Sequence, residues 1–295
     1  MKLPNLEVRT YLCLIFVCLA AWGAAKEDVK RTMSAKITIQ MKNALFFLYM
    51  WFIFMPVFVV LTLLTAVTVI IGCFLGGERI FAYYPGMIWS WLTCYLALCP
   101  VTVKGRENLD KKQSYIFVAN HQGAFDIFMI YGFLRTHIKW VMKKGIRKIP
   151  FVGAACRAAG FVFVDNSTPK AAARTVEEAE KKLTNGVSLI IFPEGSRTYT
   201  GKMIRFKKGA FQIAADVHLP LVPITLNGPF DVLPIGSLRI RPHRMEMIIH
   251  PPVSIAATAG SHKNLQETAD RIQEIIAGGL WEKYKKQVPP ANATA

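Results

Sequence analysis

Residues 120–126 read Asn-His-Gln-Gly-Ala-Phe-Asp and follow the apolar run Tyr-Ile-Phe-Val-Ala at 115–119. A short apolar run rich in β-branched and aromatic residues, ended by Asn, His and Gly, predicts a buried strand leading through a loop into a helix. A helix cap with an internally satisfied histidine accounts for the heptapeptide taken alone. On an ideal helix, residues five apart are about 140° out of phase, so His121 and Asp126 would not face each other there. They meet if His121 sits in the loop and Asp126 in the first turns of the helix. A carboxylate on one imidazole nitrogen sets the tautomer and leaves the other nitrogen as a base for a hydroxyl proton.

The pattern repeats outward from this stretch. Strands are predicted at Tyr115–Ala119, Ile138–Met142, Phe161–Val164, Val187–Phe192 and Leu221–Leu226, with a hairpin-like pair at Leu238–Arg241 and Met245–Ile249. Helical stretches are predicted at Phe125–Leu134, Lys144–Ala159, Pro169–Leu183 and Lys208–Val217. A last helix, Lys263 to Lys286, carries Leu265, Ala269, Ile272 and Ile276 as one apolar stripe. Alternation of this kind predicts an α/β domain over 104–295, with a central, mostly parallel sheet flanked by helices.

The first third of the chain differs. From Ala44 to Leu75 there is no charged residue, which is long enough for a membrane helix, with Pro56 expected to break or kink it. A buried core helix is the alternative, and the length of the run argues against it. A second uncharged run, Ile80–Val103, is interrupted by Pro85 and Pro100. Its core, Gly86–Cys99, predicts a short re-entrant or interfacial helix with Trp89, Trp91 and Tyr95 as anchors. Residues 33–103 thus read as a membrane-associated helical region. Basic residues on both flanks (Lys36, Lys42, Lys104, Arg106) predict that both ends, and the domain that follows, lie on the cytoplasmic face. Residues 1–32 resemble a signal-peptide apolar segment with the wrong charge order after it, so translation is expected to start at Met33.

The 295 residues are 53% hydrophobic and yet carry a net charge of +17. Nucleic acid attracts such charge, but a nucleic-acid binder has no use for long apolar runs, so an anionic lipid surface is the expected partner. The six cysteines form no CxxC pair, and five lie in the apolar first hundred residues, which fits small buried hydrophobes in a reducing compartment.

Ligands in open α/β sheets collect at the carboxyl ends of strands. Besides the heptapeptide, Phe-Pro-Glu-Gly-Ser-Arg (192–197) falls there, as does Pro223 within the fifth predicted strand. Gly195 permits close backbone approach, and Arg197 supplies a fork that matches a phosphate. Glu194 fits a hydrogen-bonding role as well as an acid–base one. Residues 135–174 hold nine Lys or Arg against one Asp, and Lys143 and Lys144 are best placed to reach a phosphate. No GxSxG elbow is present, and a base without an enzyme nucleophile implies that the substrate brings the hydroxyl. No third ligand at a telling spacing accompanies His121 and Asp126, so no metal is expected.

The two motifs, His121-x4-Asp126 within N-H-x-x-x-x-D and Phe192–Arg197 as F-P-E-G-x-R, resemble those of the glycerolipid acyltransferase family, most of all 1-acylglycerol-3-phosphate acyltransferases. The resemblance spans Lys104 to Ser254. It implies His121 as general base, Asp126 as its orienting partner, and Arg197, with Gly195 and its neighbours Glu194 and Ser196, as the site of the acceptor phosphate; Lys143, from its place after the second strand, completes the expected substrate-binding set. It also implies acyl-CoA or acyl-ACP as co-substrate without a further cofactor, a lysophospholipid acceptor, acyl carrier protein as a possible partner and a phosphatidic acid product. Leu219–Thr225 is similar to the family's Val-Pro strand. Gly160–Asn166 departs from its second motif, with Asn166 where an arginine is common, which leaves Arg157, Arg174 or Lys143 to substitute. Other acceptors (glycerol 3-phosphate, another lysolipid), a lipid hydrolase and a silent lipid-binding module remain competing readings.

Overall fold

The computed structural model describes residues 43–110, 112–164, 187–254 and 262–285, together with 33, 40 and 41. The chain divides into two compact units, Met1–Pro56 and Val57–Ala295. The described strands all fall in the second. In chain order they are β1 (Val101–Lys104), β2 (Ile116–Ala119), β3 (Ile138–Lys143), β4 (Val162–Val164), β5 (Ser188–Ile191), β6 (Leu221–Asn227) and β7 (Met245–Ile249). The helices are α1 (Met55–Phe74), α2 (Tyr84–Leu96), α3 (Phe125–Phe133), α4 (Val152–Ala158), α5 (Gly209–Asp216) and α6 (His262–Gly279), with shorter helical turns between them.

The seven strands form one sheet in the order β1-β7-β6-β2-β5-β3-β4. Five strands, β6 through β4, run parallel. Strand β7 is antiparallel to β6 and carries β1 parallel to itself. The α/β architecture is therefore the expected one. Every residue of β2, β5 and β6 is buried, as strands with both faces covered must be, whereas the edge strand β1 alternates. On one face, Ile116, Val118, Leu189 and Leu221 pack with Phe211 and Ala214 of α5 and with Leu265, Ala269, Ile272 and Ile276 of α6. The predicted stripe of the last helix is this core contact, and each of its buried Leu and Ile side chains contributes about 1.5–3 kcal/mol.

Several local expectations change. The hairpin at 238–241 does not form. Arg241 N–H turns back to Val232 O (2.9 Å), and Pro242 has no N–H to extend a ladder, so Met245–Ile249 pairs with β6 instead. Val101–Val103, read as the tail of an apolar run, are part of edge strand β1. The stretch 144–159 splits at Pro150 into a 3-10 turn, Lys144–Lys148, and α4, because a residue before proline avoids the helical region; Ile149 has ψ 121°. The predicted helix 169–183 and Asp165, Asn166 and Arg174 lie outside the described residues, as do 1–32.

Helix Asn43–Phe74 is long and apolar enough to cross a membrane, and little of it is buried in the protein. Pro56 neither breaks nor ends it. A π turn at Met50–Phe54, in which Met55 N–H reaches back to Met50 O, widens the helix just ahead of the proline. Helix α2, with 13 residues, is too short for a full span and packs closely on α3. The contact is close because a Cβ on Gly132 would lie 2.8 Å from Trp91 N. Trp91 and Tyr95 are exposed as expected of anchors, but Trp89 is not one. Its indole N–H donates to Thr62 Oγ1 (3.0 Å) and its ring packs on Phe58 and Phe128.

Candidate active site

Because β2, β5 and β6 are parallel neighbours, their carboxyl ends open on one edge of the sheet. Asn120 and His121 leave β2 there, and Phe192–Arg197 leaves β5 beside them. Asp126 enters as the second residue of α3, where a carboxylate also favours the positive helix end.

Asp126 is fully buried. Its Oδ2 accepts from three donors: His121 Nδ1 at 2.6 Å, Gln122 N–H at 2.7 Å and Gly123 N–H at 2.9 Å. Such an acceptor places the imidazole proton on Nδ1 and leaves Nε2 with its lone pair. Gly123 has no alternative residue: an added Cβ would lie 2.8 Å from Pro229 O and 2.9 Å from Leu233 O. One face of the imidazole is covered by Phe192, stacked at 4.0 Å and 11°.

The two motifs are joined through main-chain groups. His121 N–H donates to Glu194 Oε1 (2.7 Å), and His121 O accepts from Thr198 N–H (3.0 Å). Glu194 Oε2 takes Ile204 N–H at 2.8 Å. Glu194 is 2% exposed, and burial pushes its pKa up to about 8 against the downward pull of those two N–H donors. Asn120 supplies a second clasp: its Nδ2 donates to Leu226 O (3.0 Å) while its Oδ1 accepts Leu226 N–H (2.8 Å), tying the loop to β6.

His121, Asp126 and Glu194 therefore share one hydrogen-bonded unit, and Gly195, Ser196 and Arg197 form the turn that leads to Thr198. Gly195 has φ +74°, and a Cβ there would meet Lys207 Nζ at 2.9 Å. Arg197 is half-buried and Ser196 exposed. Lys143, the last residue of β3, is exposed on the same sheet edge but two strands from β2. Sequence reasoning missed Asn120, Phe192, Thr198 and Lys207. Asn120 and Phe192 stand within the two motifs, and Lys207 within the basic run Arg205–Lys208, but their main-chain clasp and ring stacking leave no signal of the role itself. Arg157 lends a guanidinium N–H to Arg147 O (3.3 Å), and His250 pairs with Thr225.

A histidine oriented by a buried carboxylate, beside an arginine-bearing turn at the mouth of an α/β sheet, is a class of site that can take a proton from a hydroxyl. Comparison with known proteins gives the class its chemistry. Residues 100–227 match the family model described as Acyltransferase. The chain is 27% identical over 286 residues to a 1-acyl-sn-glycerol-3-phosphate acyltransferase of Chlamydomonas reinhardtii, covering 94% of this chain and 80% of that protein. It is 33% identical over 178 residues to the chloroplastic 1-acyl-sn-glycerol-3-phosphate acyltransferase LPAT1 of Arabidopsis thaliana, covering 60% of this chain and 49% of that one, so it matches about half of this plant relative. Among solved structures, the 1-acyl-sn-glycerophosphate acyltransferase PlsC of Thermotoga maritima superposes with TM-score 0.66 at 28% identity, over 82% of this chain and 98% of that one. The chain thus carries an acyltransferase-family domain over residues 100–227.

Proposed function

We propose that the protein transfers a fatty acyl group from a thioester of coenzyme A or acyl carrier protein to the sn-2 hydroxyl of 1-acylglycerol 3-phosphate, giving phosphatidic acid. The observation that carries this reading is the His121–Asp126 contact of 2.6 Å, held against the Glu194–Arg197 turn through both main-chain groups of His121. His121 Nε2 takes the hydroxyl proton as the oxygen attacks the thioester carbonyl. The tetrahedral oxyanion collapses, the C–S bond breaks, and the departing thiolate receives the proton from the imidazolium. Asp126 stabilises that imidazolium and keeps Nδ1 protonated. Arg197 holds the acceptor phosphate, with Gly195 giving it room and Lys143 and Lys207 adding positive charge. General base catalysis is worth roughly 10²–10⁴-fold, so positioning supplies much of the remainder. This route uses the thioester as its sole co-substrate. In this reading the apolar helix 43–74 holds the enzyme at the membrane where its lipid acceptor resides, and the basic flanks support a catalytic domain on the cytoplasmic face.

The test offers purified enzyme one acyl thioester with lysophosphatidic acid, glycerol 3-phosphate and a neutral lysolipid in turn. Preference for lysophosphatidic acid, and its loss by at least about 10²-fold in a folded His121→Ala variant, is the expected result. Near-normal turnover by that variant would refute the assignment.

A further inference from the structure

The loop 233–244, between β6 and β7, is a hydrogen-bonded finger with an unusual surface. Its tip is a turn in which Ser237 N–H bonds Pro234 O (3.2 Å) with Gly236 at φ +81°. Ser237 Oγ then accepts Arg239 N–H (3.1 Å), and Arg241 N–H closes the neck on Val232 O (2.9 Å). This framework turns Leu238 outward, 90% exposed, beside the exposed Arg239 and Arg241. No acidic residue occurs between Asp231 and Glu246.

The finger joins an apolar surface on α2. Met245 N–H bonds Pro100 O (2.9 Å), which seats the finger's end beside the exit of that helix. There Leu98 occupies the left-handed cap of α2, with φ +57° and Cys99 N–H bonded to Cys94 O (2.9 Å). Glycine is favoured at such a position, yet this chain holds a leucine there, 54% exposed, next to the exposed Tyr95. The finger's base also supplies the carbonyls of Pro229 and Leu233 that press on Gly123, so this rim borders the His121 loop.

We infer that Leu98, Tyr95 and Leu238, with Arg239 and Arg241, form a second membrane contact, separate from helix 43–74, that docks the mouth of the active site onto an anionic bilayer. Apolar side chains enter the interface while guanidinium groups meet lipid phosphates. The continuity of this rim with the apolar surface of α2 favours a bilayer over an acidic protein. The inference rests on the acyl-transfer reading above, because what it positions is the entry of a lipid acceptor.

The full-length protein, in nanodiscs of phosphatidylcholine alone or with phosphatidylglycerol, is assayed with lysophosphatidic acid in the bilayer and, in parallel, in detergent micelles. Arg239→Ser/Arg241→Ser is expected to keep wild-type kcat and KM in micelles while raising KM roughly tenfold in anionic discs only. Leu238→Ser is expected to raise KM on the order of fivefold in either disc. Hydrogen exchange of residues 236–240, slower in anionic discs for the wild type but not for the double arginine variant, is the accompanying readout. Wild-type behaviour of both variants in anionic discs overturns the inference and leaves the acyl-transfer reading intact. A KM defect that follows a carrier-protein thioester regardless of disc charge also overturns it, assigning the rim to an acidic protein. Should the wild type transfer no acyl group even in micelles, the functional reading fails, and the exchange data alone decide the membrane contact.

Discussion

Glu194 Oε1 accepts the backbone N–H of His121 at 2.7 Å, across 73 residues of chain. The bond leaves the imidazole untouched and fixes the strand exit from which it projects. The turn that carries Arg197 and the loop that carries His121 are thereby tied together. The proposed reaction needs the separation of its proton acceptor and phosphate binder fixed to a fraction of an ångström, and the Glu194–His121 bond would help fix it.

Glu194 makes stability depend on pH in an unusual direction. Its pKa in the folded protein is about 8, above the ordinary 4.5, so the folded state holds the proton more tightly than the unfolded one. Stability is then unaffected by this group below about pH 4.5, falls as pH rises to about 8, and falls no further above that. The slope is at most about 1.4 kcal/mol per pH unit. Urea midpoints measured across this range should show the slope in the wild type and a flatter profile in Glu194→Gln. Parallel profiles would reject the assignment.

Asp126→Asn keeps the volume but no longer offers three donors a carboxylate. The imidazole tautomer is released, and kcat is expected to fall about 10³-fold with little change in KM. Steady-state kinetics on a variant whose circular dichroism matches the wild type is the check, and a fall confined to KM would contradict the orienting role.

Asn120→Ala removes both hydrogen bonds to Leu226 and strands a buried N–H and C=O. The expected loss is about 2–4 kcal/mol of stability, read as a lower melting temperature, with activity reduced through a loosened His121 loop. A melting temperature equal to the wild type's would show that Asn120 has no clasping role.

Gly195→Ala forces a Cβ into a residue with φ +74° and toward Lys207 Nζ. The backbone strain is about 1–2 kcal/mol, while the flexible lysine can move aside. Because the turn carries Arg197, KM for the phosphorylated acceptor should rise more than kcat falls. Isothermal titration with lysophosphatidic acid separates this from a folding defect, and unaltered affinity would rule it out.

The strands from β2 to β6, the stripe of α6 and the acyltransferase motifs could all be read along the chain. Each is a local signal, an apolar period or a short motif set by its neighbours. The pairing of His121 with Asp126 was legible for the same reason: strand, loop and first helical turn leave one way for residues five apart to meet. Trp89 was misread because its 3.6-residue position says which face it occupies but not that Thr62, Phe58 and Phe128 cover that face.

The tertiary structure alone decided that β5 lies beside β2, that Val101–Lys104 caps the sheet through β7, and that Glu194 reaches the backbone of His121. These follow from burying both faces of the central strands and satisfying the polar groups taken out of water with them. That requirement is met by the whole chain at once, so no window of sequence displays it.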